Sequence, residues 1–120
     1  MDRTACGLLP TGIKFFALNE NTASANRALF SNTTGRYNTA TGAYALYSNT
    51  STNNYNSAFG YRALYTNGAA GAAGGEYNVA VGYQALDANT TGSYNTAVGA
   101  LALDANTTGS TNTAIGPGAL

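Results

Sequence analysis

The chain has 120 residues, the length of one domain, and 44% of them are hydrophobic, with nine Tyr and four Phe among them. Only 8% are charged, and five basic and five acidic side chains cancel, which removes the usual electrostatic basis for binding nucleic acid or anionic lipid. Because no stretch approaches the roughly 20 apolar residues of a membrane-spanning helix, we also expect no membrane insertion.

Residues 1–20 precede the repeats of this chain and do not share their period. Cys6 is the only cysteine and the chain has no His, so we expect no disulfide within the chain, no metal site and no cofactor. The apolar stretch from Gly7 to Leu18 is interrupted by Pro10 and Lys14 and is not typical of a secretory signal. We interpret residues 1–20 as an arm or cap, which covers either the first repeat or the open end of the next subunit.

One nine-residue unit, Asn-(Thr/Ser/Val)-Ala-x-(Gly/Ala)-x-x-Ala-Leu, occurs six times over residues 21–120. Successive units start 17, 18, 22, 17 and 17 residues apart, which is too short for a helix-turn-helix repeat. Their Thr, Val, Tyr, Asn and Gly favour strands and turns. The period therefore predicts an all-β fold, a parallel β-solenoid or β-roll of about six 17-residue coils. The units begin at Asn21, Asn38, Asn56, Asn78, Asn95 and Asn112.

Three rows of the unit are predicted to face the inside of the coil, because position three is always Ala, position eight always Ala and position nine always Leu. Position five is Gly in five units and Ala25 in the first, which indicates a bend or the close approach of another backbone. The core rows include Ala58, Ala80, Ala97, Leu64, Leu86 and Leu103.

Position four should project away from these rows, since neighbouring strand residues point to opposite faces. It changes from Ser24 and Thr41 in the first two units to apolar residues in the later ones. A narrow solenoid buries only one face, so we expect the second to be covered by another copy in an obligate homo-oligomer, with a trimer as the first expectation. The predicted interface residues are Phe59, Val81, Val98 and Ile115.

An Asn-Thr-Thr-Gly element follows three of the units and is predicted to form a corner, because Asn tolerates left-handed backbone and Gly accepts positive φ. Stacked coils would place these Asn side chains in an amide ladder, and the Asn at position one would form a second ladder. The corners also contain four Asn-x-Ser/Thr sequons, which are candidate glycosylation sites: Asn32, Asn49, Asn89 and Asn106.

A tyrosine precedes four successive units, and these residues are predicted to stack as an aromatic column along one edge. Such a column either shields the coil or provides surface for contact with a host protein or carbohydrate. The residues are Tyr37, Tyr55, Tyr77 and Tyr94.

The third spacing departs from the period, because the coil that contains Leu64 is five residues longer than the regular 17. Residues 67–75 are rich in Gly and Ala and are predicted to form a flexible insertion at a corner. We expect removal of Gly68 to Gly75 to leave the stability of the solenoid nearly unchanged.

The units Asn78-Val79-Ala80-Val81-Gly82-Tyr83-Gln84-Ala85-Leu86 and Asn95-Thr96-Ala97-Val98-Gly99 resemble the head repeats of YadA-like trimeric autotransporter adhesins. They resemble more closely the Asn-Thr-Ala-x-Gly-Tyr-x-Ala-Leu repeats of bacterial and phage tail-fibre-like proteins. The resemblance covers about 100 of the 120 residues. It implies a left-handed, trimeric β-roll on an extracellular, cell-surface or virion fibre, although the coil here is longer than the adhesin repeat.

Three functions fit these patterns, and enzymatic activity is not expected, since the chain lacks His, clustered carboxylates and a phosphate loop. The first is a structural or adhesive fibre module that assembles with itself, as a homo-trimer or a head-to-tail filament, and presents repeated Tyr and Asn/Thr corners. The second is a glycan-decorated extracellular filament. The third is an ice-binding solenoid, whose Thr row at position two is broken by Ser57 and Val79.

Overall fold

The computed structural model describes residues 13–16, 18–50, 53–69 and 72–120, which form one seven-stranded β-sheet, turns and the 3-10 segment Leu18–Glu20. Residues 1–12, with Cys6, lie outside this described part. Among the described residues, no helix is long and apolar enough to cross a membrane. The strands are β1 (Ile13–Phe16), β2 (Thr22–Asn26), β3 (Thr39–Thr41), β4 (Ser57–Phe59), β5 (Val79–Val81), β6 (Thr96–Val98) and β7 (Thr113–Ile115).

Strands β2 to β7 pair in chain order and in parallel, and each contains positions two to four of one unit. The register places the same unit position side by side throughout, for example Ala80 of β5 beside Ala97 of β6. Backbone bonds also join the coils outside the strands, as where Leu64 N donates to Ala85 O at 3.0 Å. The prediction of an all-β parallel β-solenoid is confirmed.

The end of the amino-terminal arm forms strand β1, which pairs antiparallel with β2 of the first coil. The register sets Lys14 opposite Ala25 and Phe16 opposite Ala23. Residues 13–16 therefore occupy the amino-terminal edge of the chain's own sheet, which is the arrangement expected of a cap.

The core is built from alanine and leucine alone, since every buried hydrophobic side chain among the described residues is one of these two. The predicted core rows are confirmed. Ala58, Ala80, Ala97, Leu64 and Leu86 are fully buried, and Leu103 is 4% exposed.

Glycine at position five permits this close stacking of coils. Gly82 has a φ of +133°, and a Cβ added there would lie 2.6 Å from Gly99 O of the next coil. The backbone conformation and the contact both exclude a larger residue. In the first coil Ala25 occupies the equivalent place with a φ of 109°.

Two columns of buried asparagine side chains run through the stacked coils, as the repeat predicts. In the unit column, the side chain of position one bonds to backbone atoms that come later in the chain. Asn78 Oδ1 accepts from Asn95 N at 2.9 Å, and Asn78 Nδ2 donates to Gly92 O at 2.9 Å. The unit column contains Asn21, Asn38, Asn56, Asn78, Asn95 and Asn112.

In the corner column, each amide bonds directly to its equivalent in the preceding coil. Asn89 Nδ2 donates to Asn67 Oδ1 at 2.9 Å and also to the corner carbonyl Gly92 O at 2.9 Å. Gly92 O thus accepts one bond from each column. The corner column contains Asn32, Asn49, Asn67, Asn89 and Asn106.

The glycosylation prediction is wrong for the folded solenoid. Asn49 and Asn89 are fully buried and Asn32 is 1% exposed. Asn106, in the corner before the last unit, is half-buried, and its Nδ2 donates to both Asn89 Oδ1 and Gly109 O. A glycan would have to replace a hydrogen on this nitrogen, and such a bulky polar group has no room inside the corner.

The boundaries predicted for the insertion are also wrong. Asn67 is fully buried within the corner column, and Gly75 O accepts from Asn56 Nδ2 and Asn67 Nδ2, both at 2.8 Å. Gly75 therefore has the role that Gly92 has in the next coil. Gly68 N and Gly75 N donate to Thr90 O and Thr91 O, so residues 68–74 stand where the next coil has two threonines. Residues 70 and 71 lie outside the described part of the chain.

Replacing residues 68–74 by Thr-Thr should restore the regular corner and leave the free energy of unfolding unchanged or higher, because the buried bonds are retained. Replacing residues 68–75 by the same dipeptide also removes Gly75 and moves Glu76 into its place. That change should cost about 2 kcal/mol or more, since the coil becomes one residue shorter than the regular 17 and a side chain at the Gly75 position, where φ is +77°, meets Asn67. Denaturant unfolding of both variants measures the difference, and equal stabilities would contradict this assignment.

Asn78→Ala should lower the free energy of unfolding by about 2 to 4 kcal/mol, because it leaves the buried N–H of Asn95 without its acceptor. The matched control is Asn112→Ala in the half-buried last coil, where we expect a loss below about 1 kcal/mol. Urea unfolding followed by circular dichroism provides both values. A loss at Asn78 no larger than that at Asn112 would show that the column does not stabilise the fold.

Candidate functional surface

The outer face of the sheet is formed by positions two and four of all six units, while position three points inward. The alternation follows from the strand geometry, and it appears in β5 as exposed Val79, buried Ala80 and exposed Val81. We use the name outer face for Thr22, Ser24, Thr39, Thr41, Ser57, Phe59, Val79, Val81, Thr96, Val98, Thr113 and Ile115.

The outer face carries no charged residue, and it changes in character along the solenoid. The first two coils present hydroxyl groups, whereas the later ones present mainly apolar side chains. Phe59 is 42% exposed, Val81 37% and Ile115 65%, while Val98 is half-buried. The four residues predicted for the interface therefore lie on one face, as position four requires.

Sequence reasoning missed that position two shares this face with position four. Val79, 37% exposed, lies beside Ser57 and Thr96 in the neighbouring strands. The period of two within each strand is the signal that could have revealed it, since residues two apart point to the same side. The same row contains the threonines considered for ice binding, and Ser57 and Val79 interrupt it in the middle of the face.

The predicted tyrosine column is confirmed. The ring centroids of Tyr37, Tyr55, Tyr77 and Tyr94 are separated in turn by 5.0, 4.7 and 4.9 Å, with interplanar angles of 9°, 5° and 5°. Each of these residues has a φ between 56° and 59°, which turns the chain into the following strand. The side chains remain 42 to 60% exposed. Desolvation by the neighbouring groups, together with Tyr55 and Tyr94, raises the pKa of Tyr77.

Stacking decides which parts of these rings a ligand can reach. The faces of Tyr55 and Tyr77 are each covered by the rings above and below, so the exposed parts are the ring edges and the phenol hydroxyls. A sugar that stacks on an aromatic face would find no free face on Tyr55 or Tyr77. The column is instead suited to hydrogen bonding through a row of hydroxyl groups.

Sequence reasoning also missed a second aromatic stack, which consists of Phe30, Tyr47 and Tyr65. Its centroid separations are 5.5 and 5.1 Å. The signal was available, because each of these residues directly follows the Leu of its unit. Tyr44 packs against this stack and reaches Tyr61 at a centroid distance of 6.0 Å.

An ion pair ends the second stack where the aromatic residues give way to acidic ones. The Arg62 guanidinium bonds to both carboxylate oxygens of Asp87 at 3.0 Å and lies 4.1 Å from the centroid of Tyr65. The hydrogen bonds that Arg62 donates to Asp87 raise the pKa of Arg62 above its ordinary value. A two-point pair of this kind fixes the third coil to the fourth.

The described residues bring together no group of three or more His, Cys, Asp or Glu that could hold a metal ion. What the surface offers is an uncharged, partly apolar sheet face, bordered by regularly spaced tyrosine hydroxyls. No family model matches the chain, and neither a curated protein nor a solved structure matches it.

Proposed function

We propose that the chain is a non-enzymatic structural and adhesive module of a surface fibre, which assembles with copies of itself through the outer face. The observation that carries the proposal is the exposure of large apolar side chains on a face without charge, from Phe59 to Ile115. Soluble monomers seldom leave a contiguous apolar patch open, because its burial against a partner is favourable by roughly 25 cal/mol for each Å².

A second copy is the partner that best fits this face. Its rows repeat in register from strand to strand, so an identical face offers the same spacing of about 4.8 Å between coils. Absence of charge means that two identical faces can meet without like-charge repulsion. The resemblance to adhesin and tail-fibre repeats makes three copies around one axis the expected form.

A head-to-tail filament is less well supported than this lateral assembly. It needs the amino-terminal edge of the sheet to receive another copy, and β1 pairs along that edge of β2. Ice binding also has weaker support, because Phe59 and Val79 interrupt the hydroxyl-bearing rows in the middle of the face.

Adhesion would come from many weak contacts acting together along the fibre. The exposed tyrosine edges and the Thr corners recur in successive coils, so a host surface protein or carbohydrate could engage several equivalent hydrogen-bonding sites at once. Such a role agrees with an extracellular, cell-surface or virion location.

Val81→Asp should dissociate the assembly, because each copy would bring an unpaired carboxylate into an apolar contact. We expect association to weaken by at least about a hundredfold, which corresponds to roughly 3 kcal/mol. Leu101→Asp is the matched control, since Leu101 is 38% exposed, close to the 37% of Val81, but lies outside the outer face. Analytical ultracentrifugation compares the masses of the three proteins, and circular dichroism checks that each is folded.

A wild-type chain that stays a folded monomer at micromolar concentration would refute the proposal. So would a Val81→Asp variant that assembles as the wild type does. Dissociation by both substitutions alike would show that the contact is not specific to the outer face.

A further inference from the structure

We propose that the tyrosine column is an oxidative cross-linking site, at which one-electron oxidation joins tyrosines of adjacent coils as dityrosine. The residues are Tyr37, Tyr55, Tyr77 and Tyr94, and the best-placed pair is Tyr55–Tyr77. This inference does not rest on the assembly proposed above, because the four side chains lie outside the outer face and the new bond forms within one chain.

Ring geometry is the first support. The centroids of Tyr55 and Tyr77 are 4.7 Å apart and those of Tyr77 and Tyr94 are 4.9 Å apart, with both pairs parallel to within 5°. Rings stacked in this way have carbon atoms of one in van der Waals contact with carbon atoms of the next. The carbons beside the phenol oxygen, where a phenoxyl radical reacts, therefore face an equivalent ring.

The backbone holds this arrangement in place on both sides of the pair. Tyr77 N donates to Asn54 O at 3.1 Å, and Tyr94 N donates to Glu76 O at 3.0 Å. Rings held in contact by the fold react as an intramolecular pair, which raises the effective concentration far above that of free tyrosines.

Access is the second support. The four side chains are between 42 and 60% exposed. Two other tyrosine pairs are stacked. Tyr47–Tyr65 has a centroid separation of 5.1 Å, but both rings are half-buried and Arg62 lies over Tyr65. Tyr61–Tyr83 is as exposed as the column, but its centroids are 5.7 Å apart. The column therefore combines exposure with the closest ring spacing, and an oxidant in solution should couple its pairs first.

The reaction balances with hydrogen peroxide as oxidant and a haem peroxidase as catalyst. Each phenol loses one electron and the proton of its hydroxyl group, which yields two phenoxyl radicals. These couple through one ortho carbon of each ring, and the hydrogens on those carbons move to the oxygens and restore both phenols. The peroxide takes up the two electrons and two protons and gives two molecules of water.

The product would be a covalent bridge between consecutive coils. Tyr55 and Tyr77 flank the long coil with residues 68–74, so a bond between them closes the largest loop of the solenoid. A cross-link across a loop of about this length stabilises a fold chiefly by restricting its unfolded chain. Consecutive coils are otherwise joined by hydrogen bonds. With the cross-links in place, the coils would resist separation from one another under oxidising conditions.

The test is to oxidise the full chain with a haem peroxidase and limiting hydrogen peroxide. We expect dityrosine fluorescence, a loss of two hydrogen atoms per cross-link in the intact mass, and a band that remains at monomer size on a denaturing gel. Peptide mapping should locate the bonds at the three adjacent pairs of the column, Tyr37–Tyr55, Tyr55–Tyr77 and Tyr77–Tyr94. The same products should form in the Val81→Asp variant, which separates this result from the outcome for assembly.

Tyr77→Phe keeps the stacked ring but removes the phenol from two of the three adjacent pairs, so fluorescence should fall to about a third. Tyr55→Phe is a second variant with the same expectation, and Tyr65→Phe is the control that should leave the signal unchanged. Undiminished fluorescence in the first two variants would overturn the proposal. Bonds mapped mainly to Tyr47–Tyr65, or found only between chains, would also overturn it.

Discussion

The solenoid depends on the hydrogen bonds of its buried asparagine columns. Each corner turns the backbone inward and leaves a carbonyl, such as Gly92 O, in a space that water cannot fill. A buried carbonyl or amide without a partner costs more than the bond itself contributes, so the corner is possible only with a side chain that reaches it. Asparagine carries both a donor and an acceptor on a short stem, and the buried hydrophobic side chains of the described residues are only Ala and Leu.

This constraint explains which positions change along the chain and which do not. The inward positions have the same residue in every coil, because a larger side chain would collide with the coil above or below. The outer face tolerates Ser, Thr, Phe, Val and Ile, since positions two and four project away from the core. The close packing of the coils is accompanied by unusual backbone conformations. The Leu at position nine has a φ between 49° and 55° in every coil. A left-handed Leu costs about 1 to 2 kcal/mol, and in the first five coils a backbone bond to the next coil holds it in place, as from Leu64 N to Ala85 O.

The rows of the repeat made much of this fold predictable. Identical residues at fixed spacing indicate the core, the close approach at Gly82, the amide columns and the tyrosine column. Features that depend on the corner's exact path were not predictable in this way. A sequon looks the same whether its amide faces water or the interior, so Asn49 was misjudged, and the Gly-rich run concealed that Gly75 belongs to the core. The second aromatic stack was missed for another reason, because Tyr47 and Tyr65 give way to Asp87 in the same row.

Both asparagine columns have a direction. In every bond of the corner column the donating Nδ2 belongs to the later coil and the accepting Oδ1 to the earlier one, as for Asn89 and Asn67. In the unit column the backbone N–H of the later coil likewise points to the earlier Oδ1. Aligned amide dipoles add along an axis and polarise one another, as peptide dipoles do in a helix. The stack should therefore behave as an electrical dipole, with excess negative potential at its carboxy-terminal coil, and each added coil should strengthen the bonds already formed.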